Sequence, residues 1–118
     1  MTMQKCERRP SRRGLSIALA AALALTFFAA SARAADVDVK IDNFVFTPQT
    51  LTIKPGTTVT WTNGDDIPHS LVASQQGLFR SRAMDTGETF RFTFTSAGSF
   101  EYFCGLHPHM KGMIVVAP

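Results

Sequence analysis

Near its C-terminal end the chain reads Tyr102-Phe103-Cys104-Gly105-Leu106-His107-Pro108-His109-Met110-Lys111-Gly112-Met113. Within this stretch Cys104, His107 and Met110 follow one another at steps of three residues. Thiolate, imidazole and thioether are soft donors, and such donors select copper over hard cations. A cysteine alone is more often a small buried apolar residue than a ligand, so the interpretation as a copper site depends on the combination.

A second histidine would be needed for a familiar type of copper site. Blue-copper electron carriers bind their metal with two histidines, one cysteine and a weak, long axial methionine. The C-terminal stretch holds two of the three histidines of the chain, and the third is His69, just after a predicted strand. His69 would complete the donor set if the fold brings it next to Cys104.

Alternation of apolar and polar residues with period two runs through most of the remaining chain and predicts β-strands. The pattern is clearest at Phe90, Phe92 and Phe94. The predicted strands cover residues 37–41, 51–53, 59–61, 69–73, 90–94, 100–104 and 113–116. Turn-forming Gly, Pro and Asn separate them, so we expect an all-β antiparallel sandwich. Residues 74–88 are interpreted as a loop or a short strand near 79–83.

The turn at residues 96–99, Ser-Ala-Gly-Ser, predicts a hairpin that pairs the strand ending at Cys104 with the strand 90–94. Cys104 is then the last strand residue before a loop that carries His107. A loop tied at both ends to strands can direct several side chains to one point. His69 must reach the same end of the sandwich from another strand.

The first part of the chain has the features of a secretory signal peptide. Basic residues are followed by an apolar run at 15–32 and by Ala32-Arg33-Ala34, a small-x-small cleavage site. We expect residues 1–34 to be cleaved and residues 35–118 to act as one domain in the periplasm. Residues 11–15, Ser-Arg-Arg-Gly-Leu, resemble a twin-arginine signal, so the general and twin-arginine export routes both stay open. An uncleaved anchor is disfavoured because the run is shorter than the roughly 20 residues of a membrane span.

Removal of residues 1–34 changes the charge of the chain. Of its 12 basic and 9 acidic residues, six and one lie in this segment, so six basic and eight acidic residues remain. The excess of basic charge belongs to the precursor, and no basic stripe is left to bind nucleic acid. Cys6 is removed as well, which leaves Cys104 as the single thiol in an oxidising compartment. Such a thiol is buried, pairs between chains or binds a metal.

Four segments of the mature chain match a known family. They are Pro55-Gly56-Thr57-Thr58-Val59-Thr60-Trp61-Thr62-Asn63, then Pro68-His69, then Phe92-Thr93-Phe94-Thr95-Ser96-Ala97-Gly98-Ser99-Phe100, and finally Cys104-x-x-His107-Pro108-x-Met110. On these segments residues 36–118 resemble the small cupredoxins, and amicyanin and its plastocyanin relatives most closely. The resemblance implies a Greek-key β-sandwich of about seven or eight strands.

The same resemblance implies one type 1 copper ion, which cycles between Cu(I) and Cu(II). Its ligands would be His69, Cys104, His107 and, in the axial position, Met110. Asn63 would brace the ligand loop by hydrogen bonds. His107 would be the ligand nearest the surface, within an apolar collar where a redox partner docks in a small, transient contact. The residues of this collar would be Ile67, Pro68, Leu106 and Pro108.

The function that follows is a soluble, monomeric electron carrier of the periplasm. It would not be an enzyme, its partner would be a redox protein, and it would bind neither nucleic acid nor, after signal cleavage, a membrane. The alternative is a protein that sequesters or delivers copper, because His109 and Met113 add soft donors near the loop. A copper oxidase is disfavoured because a multinuclear cluster needs many more than three histidines. Structural zinc is disfavoured because copper binds nitrogen and sulfur sites more tightly.

Overall fold

The computed structural model describes residues 35–118, which form two four-stranded β-sheets around a shared core. The strands are β1 (Asp36–Asp42), β2 (Val45–Thr47), β3 (Thr50–Ile53), β4 (Thr57–Asn63), β5 (Val72–Ala73), β6 (Thr89–Phe94), β7 (Gly98–Phe103) and β8 (Lys111–Val116). The predicted all-β sandwich is confirmed. Within residues 35–118 no helix has the length and apolar character needed to cross a membrane. The predicted signal peptide lies outside the described residues.

The first sheet has the strand order β2-β1-β4-β6 and the second the order β3-β8-β7-β5. Strand β4 shows why the alternating pattern produces this arrangement. Its residues Thr57, Val59, Trp61 and Asn63 are buried, and those between them are partly exposed. A strand in a two-layer sandwich directs every second side chain into the core. The buried face of β4 ends at Asn63, which places this polar side chain at the rim of the core.

Two strand pairs correct the expectation of a purely antiparallel sandwich. Strands β1 and β4 are parallel, with Val39 opposite Trp61, and β3 and β8 are parallel, with Leu51 opposite Ile114. The chain leaves the first sheet after β2, forms β3 in the second sheet and returns as β4. Because it changes sheet between β1 and β4, the two strands can run in the same direction. Alternation along a strand reveals its buried face but not its neighbour.

The predicted hairpin at residues 96–99 is wrong. Strand β6 pairs with β4 in the first sheet, whereas β7 pairs with β8 and β5 in the second. The turn therefore carries the chain from one sheet to the other. A turn signal predicts that the chain reverses, and the reversal is compatible with either a hairpin or a crossing between layers.

Two further differences concern short elements. Strand β2 was not predicted, and the strand expected at residues 69–73 is reduced to Val72–Ala73. His69 itself forms an isolated bridge with Met84. Residues 74–88 are mainly a loop, which pairs at two single points with the segment after β4. Because such bridges involve one residue each, they leave no periodic pattern in the sequence.

Trp61 and Tyr102 form the centre of the core beneath the predicted site. Neither side chain is exposed, and their rings meet edge to face at 5.4 Å and 78°. Burial raises the pKa of Tyr102 to about 12, so its hydroxyl group is neutral at physiological pH. Cys104 is two residues beyond Tyr102 and is also fully buried. The packed core therefore fixes the position of the cysteine.

Candidate metal centre

His69 lies in the segment after β4 and is held by backbone pairing with Met84. Its N–H donates to the Met84 carbonyl at 3.2 Å, and its carbonyl accepts from the Met84 N–H at 2.7 Å. The ring is completely buried, and its Nε2 atom lies 2.7 Å from Oδ2 of Asp65. A carboxylate at this distance accepts a hydrogen bond from Nε2–H, and a ring with its proton on Nε2 keeps the lone pair of Nδ1 for a metal.

Asp65 is almost completely buried, and it receives three hydrogen bonds. The backbone N–H of Asn43 donates to Oδ1 at 2.6 Å, and that of Phe44 donates to Oδ2 at 3.1 Å, in addition to the bond from His69. Burial raises the pKa of Asp65, but these hydrogen bonds together lower it more, to about 2 from an ordinary value of 3.8. Asp65 is therefore a carboxylate at all but strongly acidic pH.

The loop between β7 and β8 forms two consecutive turns. The N–H of His107 donates to the Cys104 carbonyl at 3.2 Å, and the N–H of Met110 donates to the His107 carbonyl at 2.9 Å. Side chains three residues apart lie above one another when the hydrogen bonds connect residues three apart. The loop closes where the Cys104 N–H donates to the Met110 carbonyl at 3.0 Å. The three-residue spacing in the sequence thus has a direct geometric basis.

The two histidines and the cysteine converge on one point. The Sγ atom of Cys104 lies 3.6 Å from Nδ1 of His69 and 3.7 Å from Nδ1 of His107. Their donor atoms all lie within 4.8 Å of one another. Metal bonds of about 2.0 Å to nitrogen and about 2.3 Å to sulfur, 120° apart, would separate the two donors by roughly 3.7 Å. The residues present therefore fit a trigonal metal ion of the kind predicted.

The predicted axial ligand, Met110, is also at this end of the sandwich. Met110 is 6% exposed, and its backbone forms hydrogen bonds with those of Cys104 and His107. His107 is the ligand candidate with the most solvent contact, because it is partly exposed whereas His69 and Cys104 are buried. Of the three clustered residues, His107 is therefore the one that reaches the surface.

Ser70 joins the segment of His69 to the loop of Cys104. Its backbone N–H donates to Sγ of Cys104 at 3.4 Å, and its hydroxyl oxygen accepts from the N–H of Gly105 at 3.0 Å. An N–H aimed at the sulfur stabilises negative charge there. Ser70 therefore holds the two ligand segments in register.

Asn63 was expected to brace the loop that follows Cys104, but its hydrogen bonds have different partners. Its Nδ2 donates to the carbonyls of Ile67 at 2.8 Å and Met84 at 2.9 Å, and its Oδ1 accepts from the N–H of Asp65 at 2.9 Å. These contacts stabilise the segment that carries His69. The reason is positional, since Asn63 ends β4 and that segment begins directly after it.

The predicted docking collar is partly matched by surface exposure. Pro68, Leu106 and Pro108 are exposed, whereas Ile67 is partly buried. Among the residues described, the exposed large hydrophobic side chains are Phe44, Val45 and Leu106. Phe44 was not predicted, although its ring contacts that of His107 at a centroid distance of 5.1 Å.

A two-sheet β-sandwich with a Cys–His–His cluster at its rim defines a class of small metal-binding protein. Comparisons with known proteins agree. Residues 15–116 match the model of the cupredoxin-like domain. The chain is 39% identical to amicyanin from Paracoccus versutus, over 75% of this chain and 70% of that protein. It is 35% identical to chloroplastic plastocyanin from Tetradesmus obliquus, over 85% and 80% of the two chains.

A solved structure gives the same result. The purple cupredoxin from Nitrosopumilus maritimus is 33% identical, superposes with a TM-score of 0.66, and is matched over 70% of this chain and all of that chain. The chain belongs to the cupredoxin family.

Proposed function

We propose that the protein is a type 1 copper electron carrier that cycles between Cu(I) and Cu(II). His69, Cys104 and His107 would hold the metal, and Met110 would be the axial ligand. The observation that supports this most strongly is the convergence of one sulfur and two Nδ1 atoms at 3.6 and 3.7 Å. The family membership supports it independently, because amicyanin and plastocyanin are blue-copper electron carriers.

Copper would supply the one-electron couple, and the protein would keep its surroundings constant. His69 is fixed by Asp65 and Met84, and Cys104 by the core and by Ser70. Donors that are already in place need little rearrangement when the metal changes charge, so the barrier to electron transfer is low. The partly exposed His107 offers the shortest route from the site to a partner.

The partner would be a redox protein that docks in a small, transient contact around His107. The exposed side chains of Phe44 and Leu106 support an apolar docking surface there. A contact of small area favours rapid dissociation, which a shuttle between two partners requires. We propose that the carrier acts as a monomer.

The alternative role in copper sequestration or delivery has less support. His109 lies outside the cluster of nitrogen, sulfur and carboxylate donors found in the described part of the chain. Met113 lies in the middle of β8, opposite Thr50 and Glu101. His109 therefore does not join His69, Cys104 and His107 in that cluster.

The proposal is tested by visible and EPR spectra of residues 35–118 loaded with Cu(II). We expect an intense visible charge-transfer band from the thiolate. Cys104→Ser should lose that band while circular dichroism still shows a β-sandwich. A colourless wild-type protein, or a Cys104→Ser variant that stays blue, would refute the assignment. Transfer of copper to a metal-free acceptor, in the absence of fast electron exchange, would favour delivery instead.

We also propose that residues 1–34 are an export signal and that the mature protein is periplasmic. The basic segment, the apolar run and the Ala32-Arg33-Ala34 site support this. Mass spectrometry of protein recovered from the periplasm should give a chain that begins at Ala35. Recovery of the uncleaved chain in the membrane fraction would contradict it.

A further inference from the structure

The turn between β1 and β2 contains an unusual backbone conformation. Asp42 pairs with Val45, so Asn43 and Phe44 form a two-residue hairpin loop. Both have positive φ, 50° and 62°. Positive φ at both positions is typical of a type I′ turn, which favours Asn followed by Gly. Asn43 suits the turn, whereas a bulky aromatic residue at the second position is a steric outlier.

The conformation is held by Asp65. This carboxylate accepts from the backbone N–H groups of both turn residues, and its Oδ2 atom is shared between Phe44 and Nε2 of His69. One buried anion thus fixes the hairpin turn and the buried histidine together. Strained residues persist where their surroundings over-determine them, and such residues cluster at functional sites.

The Phe44 side chain lies at the surface and contacts both histidine rings of the candidate site. Phe44 is 47% exposed, yet its ring meets both candidate ligands edge to face. The centroid distances are 5.5 Å to His69, at 87°, and 5.1 Å to His107, at 85°. The two imidazole rings are themselves 5.1 Å apart. Phe44 therefore occupies the open side of the histidine pair.

We propose that Phe44 is a positioning residue of the metal centre, presented by Asp65 so that its ring limits the rotation of the His107 imidazole. The inference rests on the proposed function, since it explains how the most exposed ligand keeps one orientation. His69 is already fixed by Asp65 and by burial. The His107 ring is partly exposed to solvent. Its contact with the Phe44 ring therefore restrains its orientation.

The test uses the metal-free protein with 13C-labelled histidine, and it measures exchange of the His107 ring by NMR relaxation dispersion at constant pH. Phe44→Ala and Phe44→Gly should each raise the rate of ring reorientation by roughly two- to twelvefold, the range expected for one lost aromatic edge contact. Phe44→Tyr should keep the wild-type rate. Val45→Ala is the matched control, because it truncates an exposed apolar neighbour in the same hairpin.

Stability measurements separate positioning from a merely structural role. Glycine adopts positive φ without strain, so Phe44→Gly should be more resistant to urea than Phe44→Ala. If Phe44 only supports the fold, the rate of His107 ring reorientation would rise as stability falls, so it would be lower in Phe44→Gly than in Phe44→Ala. Equal motion in both variants supports positioning. Unchanged motion in both, an equal effect of Val45→Ala, or a glycine variant that does not fold would overturn the proposal.

The two proposals fail separately. A colourless Cu(II) protein would reject the blue-copper function and leave the ring-motion result in metal-free protein intact. A blue protein in which Phe44→Ala leaves His107 unaffected would reject the positioning role alone.

Discussion

The Nε2 atom of His69 lies 2.7 Å from Oδ2 of Asp65, where the histidine side chain has no exposed surface and the carboxylate has 11%. The contact selects the tautomer that carries its proton on Nε2, so Nδ1 faces Cys104 as an acceptor. A neutral ring with its lone pair directed at the cluster is the form a metal ligand needs. Asp65 therefore prepares the site before any metal is bound.

The first prediction concerns the pH dependence of stability. The pKa of Asp65 is about 2 in the folded protein and 3.8 without its contacts. A folded-state pKa below the unfolded value stabilises the protein above pH 3.8, and this stabilisation is lost as the pH falls from 3.8 to about 2. Urea unfolding of metal-free protein should show that loss in the wild type and a smaller one in Asp65→Asn.

The comparison must be made with a second acidic variant. Asp66→Asn is a suitable control, because Asp66 is the exposed neighbour of Asp65. It should behave like the wild type. If Asp65→Asn loses as much stability as the wild type between pH 3.8 and 2, the carboxylate does not have the role assigned to it.

The second prediction concerns Ser70. Ser70→Ala removes the acceptor of the Gly105 N–H but keeps the backbone N–H that donates to Cys104. Loss of one such hydrogen bond should lower the free energy of unfolding by about 1 kcal/mol. Hydrogen exchange at Gly105 should become faster as the loop loosens. Ser70→Thr keeps the hydroxyl group and should retain protection.

Ser74→Ala serves as the control for this experiment. Ser74 is exposed, and its hydroxyl contacts Glu101 at 3.4 Å on the surface. Its removal should change neither the stability nor the exchange of Gly105. Unaltered protection of Gly105 in Ser70→Ala would show that the loop is held by other contacts.

The sequence was sufficient to predict the all-β sandwich and the cluster of His69, Cys104 and His107. The sandwich follows from the alternation of apolar residues, and the pairing of Cys104 with His107 follows from the three-residue spacing of the loop. The place of His69, 35 residues from Cys104 in the chain, came from the family resemblance and not from a local feature. The parallel pair β1–β4 and the crossing at residues 96–99 could not be predicted, because alternation and turn residues say nothing about which sheet a strand joins. The family resemblance added the Greek-key topology and the number of strands, about seven or eight.

Residues that support the site were harder to predict than those that form it. Asp65 belongs to Asn63-Gly64-Asp65-Asp66, which in the sequence is only a break between strands. Its contacts with the β1–β2 turn depend on the fold. Ser70 was noticeable only as a neighbour of His69. Phe44 had no signal, because a two-residue turn containing phenylalanine does not match the usual turn residues.

The third prediction distinguishes Met110, at the end of the loop, from Met113, within β8. Met110 is buried and bonded through its backbone to Cys104, whereas Met113 is partly exposed within β8. Met110→Leu should raise the reduction potential, because removal of a weak thioether donor destabilises Cu(II) more than Cu(I). Met113→Leu should leave it unchanged. Cyclic voltammetry measures both, and the opposite pattern would identify Met113 as the axial ligand.

The fourth prediction concerns Gly112, which returns the loop to the sheet opposite Tyr102. A Cβ atom at residue 112 would lie 2.3 Å from Cζ and from Oη of the tyrosine, far inside van der Waals contact. Gly112→Ala should therefore destabilise metal-free protein by about 1–3 kcal/mol, the usual cost of overpacking. Tyr102→Leu shortens the opposing side chain, so the same alanine should cost less in that background. A double-mutant cycle in urea measures this coupling, and purely additive effects would show that the close approach of Tyr102 is not what requires glycine.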